Sequence, residues 1–398
     1  MTGHRFFLSI DNLEERVADG YSKGMRKYGL PYMGSKTRLA DAIIRLFPKS
    51  DKLWDVFCGG GAVAHCAVQS GKFKAVHVND ILPGQAEAVK AMIEGTLEVP
   101  KMWVSHEDFF RIRKDNPLIR IIWGFGNDGH SYLYSREIEP WKKACYYARM
   151  FNDHSFLREM GIAHEPVTRD WIRDNIEYCK DKYLEYIKPK LGITPEAETE
   201  YNDFIKAGVI KDIRGLTEKQ HVDGLLKKKA KNADAIHSLM LLENIKNLNC
   251  LKALECMERI QSMERIKGNC KGIVTSSELD YRELTSCFDR DDVVYLDIPY
   301  ENTGAYGLGL GLSSGRFDYE AFWEWVRKLP CIAVTSSYEG PDDFITLCEF
   351  SHRSLISDKD NKDVVEKCFL WKGHEKVYRE KTGWHKCIRD KEGQIELF

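Results

Sequence analysis

The sequence contains no run of 18 or more apolar residues, so it offers no transmembrane helix. Its first twenty residues, MTGHRFFLSIDNLEERVADG, lack the apolar stretch of a secretory leader. The twelve cysteines form no CxxC pair, and no histidines stand at finger spacing from them. No metal site is therefore expected, and the thiols read as reduced, which points to a cytoplasmic location. A global excess of positive charge is also missing: the formal net charge is −2 over 398 residues. Any nucleic-acid contact must then come from a local patch. Finally, the first glycine-rich turn departs from the dinucleotide fingerprint GxGxxG. Val63 and Ala64 follow it where the last glycine would sit, which argues against bound NAD.

What is present suits a globular protein with an ample core, at 43% hydrophobic residues. The length exceeds one average domain, so one large core with an inserted or appended module is expected. Leu39, Ile43 and Leu46 predict a helix from about Ser35 to Phe47, ended by Pro48. Leu53 to Phe57 reads as a buried strand running into Cys58-Gly59-Gly60-Gly61. A helix from Ala62 to Gln69 and a second strand at Ala75–Val78, closed by Asn79-Asp80, follow. Strand, glycine turn, helix and strand with a terminal acid begin a doubly wound sheet. Near the other end, Val293–Leu296 and Cys331–Val334 read as strands flanking a helix over Phe317–Leu329. Val364–Trp371 reads as a late strand paired with the segment near Phe350–Ile356.

The middle differs. Residues 151–272 are rich in charge and helix formers, and Lys206 to Lys271 holds fourteen Lys or Arg against eight Asp or Glu. The densest patch is Lys227-Lys228-Lys229-Ala230-Lys231. Alone it reads as a solvated helix face; between two halves of a nucleotide-type fold it becomes a candidate for phosphate contact. From Leu242 to Ile266, apolar residues recur every three positions. That period drifts around an α-helix, so a helix buried on several sides or broken in the middle is expected.

Three short segments carry chemistry. Glycines at Phe57-Cys58-Gly59-Gly60-Gly61 let backbone approach a ligand, and Asp80 at the end of the next strand suits a ribose hydroxyl pair. The turn by itself reads equally as a plain tight turn. Asp297-Ile298-Pro299-Tyr300 sits at the carboxyl end of a strand, where open α/β sheets bind ligands. A carboxylate and a backbone carbonyl there can accept both protons of an exocyclic base amine, turning its lone pair toward a methyl donor. Tyr300 can stack on a base that has left the duplex. The tetrapeptide alone reads equally as an ordinary strand end. Tyr32-Met33-Gly34-Ser35-Lys36, before the first helix, offers a cation and free N–H groups to a carboxylate.

In this order the segments resemble the Dam-like, alpha-class family of DNA adenine N6-methyltransferases, in its phage-type form. That family runs from an aromatic-x-G-[GS]-K motif through F-x-G-x-G, an acid ending the second strand and a target-recognition insert to DPPY. Further segments carry the same likeness: Phe125-Gly126-Asn127, Tyr132-Leu133-Tyr134, Asp280-Tyr281-Arg282, and Ser336-Ser337-Tyr338 with Pro341 and Phe344. The resemblance implies an α/β, Rossmann-like S-adenosylmethionine-dependent methyltransferase sheet with a mainly helical inserted target-recognition domain. It divides the chain at 29–150, 151–272 and 273–398, the outer pieces forming the catalytic domain. By the same resemblance Tyr32, Gly34 and Lys36 hold the methionine end of S-adenosylmethionine. Phe57, Gly59 and Gly61 line its turn, Asp80 takes the ribose hydroxyls, Asp280 and Tyr281 lie beside its adenine, and Asp297 adjoins it. The product is S-adenosylhomocysteine.

Asp297, Ile298, Pro299 and Tyr300 would be catalytic, with adenine in double-stranded DNA as substrate and no membrane partner. One position departs from the family: Ile298 replaces its first Pro, which frees φ and could loosen the site. Asp297 favours adenine over cytosine N4, where Ser is usual. The expected reaction is direct in-line transfer. It needs no metal and no covalent enzyme intermediate, so Cys58 and Cys66 read as packing residues. Cytosine-N4 or RNA adenine methylation, and a non-catalytic nucleic-acid-binding relative, remain as alternatives. The sequence carries no sign of a recognition site or of a cognate restriction nuclease.

Overall fold

The computed structural model describes residues 28–127, 129–162, 166–208, 230–245, 254–266, 268, 270, 272–299, 317–353, 363–383, 388–389 and 395–396. These fall into two compact units. The first holds the described residues up to Pro100, Ile112–Ser131 and those from Arg259 onward. The second holds Lys101–Arg111 and Tyr132–Glu258.

The first unit is built on a seven-stranded sheet. Its strands are β1 (Lys52–Asp55), β2 (Ala75–Asn79), β3 (Val274–Ser277), β4 (Val293–Asp297), β5 (Ile332–Ser337), β6 (Phe344–Arg353) and β7 (Asp363–Trp371). Their order is β3-β2-β1-β4-β5-β7-β6. The first five run parallel, and β7 enters antiparallel between β5 and β6. Val293 to Leu296 are fully buried, as expected of a central parallel strand covered on both faces. The chain starts at β1, winds outward through β2 to β3, then returns to β4 on the other side of β1. That reversal opens a crevice at the carboxyl ends of β1 and β4, where doubly wound sheets bind their ligands. The expected α/β, Rossmann-like sheet is therefore present.

Helices follow where turn chemistry permits. Gly61, in the left-handed region at φ 69°, caps the helix Ala62–Ser70, which is buried along nearly its whole length. Asp318 caps Tyr319–Arg327 by accepting from the Ala321 N–H at 3.0 Å. The first helix begins at Ala40 and not at Ser35. Gly34 takes φ 72°, and the i→i+4 ladder starts only at the Lys36 carbonyl, which accepts from the Ala40 N–H at 2.8 Å. Lys36 thus stands at the helix entrance.

The second unit is mainly helical, with Glu139–Phe151, Ile176–Lys190, Pro195–Lys206 and Ala233–Ile245 among its helices. Its core is aromatic. Trp103 stacks on Tyr134 with ring centroids 6.0 Å apart, and the buried Tyr183 hydroxyl donates to the Glu137 carbonyl at 2.6 Å. This packing draws residues 132–150 into the second unit. The two units thus divide after Pro100, Arg111, Ser131 and Glu258. The three-residue repeat is carried by two helices, Ala233–Ile245 and Glu255–Arg265; residues 246–253 lie outside the described set.

Candidate active site

Two acids meet at the switch point. Asp55 ends β1 and Asp297 ends β4, and the register pairs Asp55 with Tyr295, two residues before Asp297. Asp55 is 2% exposed, and its Oδ2 accepts from the Ala64 N–H at 3.2 Å. Its Oδ1 is buried with no hydrogen-bond partner among the described residues. Burial, with the nearby Asp297 charge, pushes the Asp55 carboxyl up from 3.8 to about 8. At neutral pH it is therefore largely a neutral acid and a potential hydrogen-bond donor.

Asp297 is tied to Lys36, whose Nζ lies 2.9 Å from Asp297 Oδ2 and 3.7 Å from Oε1 of the buried Glu366 on β7. The same ammonium donates to the Gly34 carbonyl at 3.0 Å. One buried cation thus faces two carboxylates. Tyr338 lies in the same field, and its phenol is raised by burial and by Glu366. The structure brings Lys36 and Asp297 together as directly bonded partners.

The glycine turn is held from both sides. Gly59 donates its N–H to Asp80 Oδ2 at 2.9 Å, while Asp80 Oδ1 accepts from the Leu82 N–H at 2.9 Å. Burial raises the Asp80 carboxyl, opposed by these backbone bonds and by Arg120. A Cβ built on Gly59 would come within 2.9 Å of the Tyr32 ring, so Tyr32 lies against this turn. Phe57 packs against Tyr281, with centroids 5.6 Å apart, and both belong to the aromatic layer with Phe317 and Phe322. Asp280 caps the short 3₁₀ helix Tyr281–Cys287 and is gripped by Arg282, whose Nε and Nη2 each donate to it at 2.7 Å.

Ile298 is 2% exposed and packs in the core with Leu296 and Phe322. Its side chain belongs to the hydrophobic layer, so an aliphatic residue suits the position. The Pro299 carbonyl accepts from the Tyr319 hydroxyl at 2.9 Å, which fixes the exit from β4 by a bond the motif does not announce. Tyr300 lies outside the described residues, as do Lys227, Lys228 and Lys229. Lys231 is exposed in the second unit, its backbone N–H bonded to Glu200 at 2.9 Å.

Sequence reasoning missed Asp55, Glu366, Gln85, Arg120 and Tyr319. Only Asp55 had a legible signal, an acid inside an otherwise apolar run. Cys58 and Cys66 are buried, and desolvation pushes the Cys58 thiol well above its usual range, so it stays a packing residue. No group of His, Cys, Asp or Glu that could hold a metal occurs among the described residues, nor does any helix long and apolar enough to cross a membrane.

The residues present fit an adenosine-containing sulfonium ligand. An acid follows β2 beside a glycine turn, an aromatic pair flanks it, and Asp55 keeps a buried carboxyl oxygen without a hydrogen-bond partner among the described residues. A search of curated proteins found no match. Residues 32–138, which run from Tyr32 through the glycine turn and Asp80, match the model of the D12 class N6 adenine-specific DNA methyltransferase; the match ends before β3 and β4. Over these residues the chain is similar to the D12 class N6 adenine-specific DNA methyltransferases.

Proposed function

We propose that this protein transfers the methyl group of S-adenosylmethionine to the N6 amine of adenine in double-stranded DNA, on a base turned out of the helix. The observation that carries the reading is Asp297, held by Lys36 at the carboxyl end of β4 beside the glycine turn of β1. When bound, the cofactor supplies a methyl group already activated by its sulfonium charge.

The chain's own residues do the rest. Asp80 accepts from the ribose hydroxyls, and the Phe57–Tyr281 pair offers an apolar flank to the adenine ring. Tyr32 and Gly34 border the methionine end. Lys36 holds Asp297 by an ion pair at 2.9 Å, and each carboxylate oxygen carries more than one lone pair for a donor. The main-chain carbonyl of Ile298 would take the second proton, and the two acceptors together turn the nitrogen lone pair toward the methyl group. The amine is a weak nucleophile, so orientation and charge complementarity are the catalytic contribution. Tyr300 would stack on the displaced base.

The test is a substrate swap. Duplex DNA, single-stranded DNA and RNA, all unmethylated, are each incubated with labelled cofactor, and product nucleosides are separated. The expected product is N6-methyladenine from duplex DNA. Label in N4-methylcytosine, or in RNA alone, would replace this reading with one of its alternatives.

A further inference from the structure

The glycine turn is also gripped from a side no motif announces. Gln85 is fully buried at the start of the helix Gln85–Glu94. Its Nε2 donates to the Gly59 carbonyl at 2.6 Å. The Gly59 N–H is in turn held by Asp80 at 2.9 Å. Behind Gln85 stands Arg120, 3% exposed on the helix Pro117–Trp123. One Arg120 nitrogen reaches the Pro83 carbonyl at 2.8 Å and Gln85 Oε1 at 3.4 Å. The other donates to the carbonyls of Lys114 at 2.7 Å and Arg113 at 3.2 Å. The guanidinium is thus fully engaged without touching the site. Burying it costs desolvation, repaid by four bonds with fixed geometry.

We infer that Gln85 and Arg120 are positioning residues for the cofactor: Arg120 holds Gln85, and Gln85 and Asp80 together lock the two peptide groups on either side of Gly59, against which the cofactor seats. This rests on the proposed function, because it takes the turn as the cofactor's cradle. Losing the Gln85 donor leaves a carbonyl oxygen short of its partner and lets the peptide rotate, which weakens a ligand that needs its present orientation. The chemical step draws on Asp297 and is spared once the cofactor is bound.

The experiment compares the full-length chain with Gln85→Glu and Gln85→Met. The first keeps volume and the Arg120 bond but loses the donor to Gly59; the second loses both. Calorimetric binding of S-adenosylhomocysteine is measured beside KM for S-adenosylmethionine and kcat at saturating cofactor. Both variants are expected to bind about tenfold or more weakly, with kcat within about threefold of wild type, since an unmet buried hydrogen bond is worth roughly one decade. Arg120→Met is expected to follow Gln85→Met in the same direction. Cofactor binding unchanged in folded Gln85→Glu and Gln85→Met overturns the inference, as does a fall in kcat with KM unmoved. Wild-type protein that binds neither form of the cofactor overturns the reading of the site itself, and the inference with it.

Discussion

At the scale of single residues, the site is a problem of charge in a dry place. Asp297 is stabilised as an anion by an ammonium at 2.9 Å, whereas Asp55, at the adjacent strand end, lacks such a partner and holds its proton up to about 8. Burial without an ion-pair partner sets Asp55 apart, and perturbed groups of this kind cluster at functional sites. The sign of the consequence is fixed. The folded state binds a proton at Asp55 that the unfolded chain releases near 3.8, so this residue's contribution is fully present below that pH and is lost as pH rises through about 8. Unfolding by denaturant across this window is expected to show stability falling with pH in the wild type and a flatter profile in Asp55→Asn. Identical slopes in the two proteins would remove Asp55 from the buried set. Ile298 makes a quieter point. A departure from the family pattern looked like a loosened site in sequence, yet the side chain is core and contributes packing.

At the scale of elements, the turn after β1 decides the geometry. Gly61 sits at φ 69°, and a Cβ there would approach Val89 Cγ1 to 2.2 Å. Gly61→Ala is therefore expected to cost about 2–4 kcal/mol, combining backbone strain with overpacking, as read from chemical denaturation. Equal stability would mean the turn can take another form. Most strands were legible because each is a short apolar run bounded by turn residues, and the acid at Asp80 was legible because it ends one. Glu366, Gln85 and Arg120 were not. Each gains its role from a partner far away in the chain, and nothing in a buried Gln at a helix start distinguishes it from an exposed one until the sheet is assembled. The first helix was read about one turn too long because apolar spacing does not reveal that Gly34 takes a positive φ and that the Lys36 side chain turns to Asp297.

At the scale of the molecule, we propose that the sheet carries the chemistry and that the mainly helical second unit, with its basic stretch, reads DNA. With a net charge of −2, such binding would need positive charge concentrated locally where phosphates lie. Replacing Lys227, Lys228, Lys229 and Lys231 together with Ala is expected to weaken DNA binding. The slope of log affinity against log salt should shrink by about 0.9 for each phosphate no longer neutralised. An unchanged slope would remove the patch from the interface. The domain boundaries were the least legible feature. Aromatic packing of Trp103 on Tyr134 joins segments that composition alone assigns to the catalytic part.

Asp297 is the residue on which the proposed reaction depends most, and the decisive measurement is single-turnover methyl transfer to unmethylated duplex DNA by wild type and Asp297→Ala, with cofactor and DNA binding measured on the same preparations. The predicted result is N6-methyladenine from the wild type and a rate at least about a hundredfold lower in the variant, as expected when a group acting in the transition state is removed, while the variant still binds DNA. A variant that methylates adenine at the wild-type rate would contradict the claim that the β4 carboxylate receives the target amine.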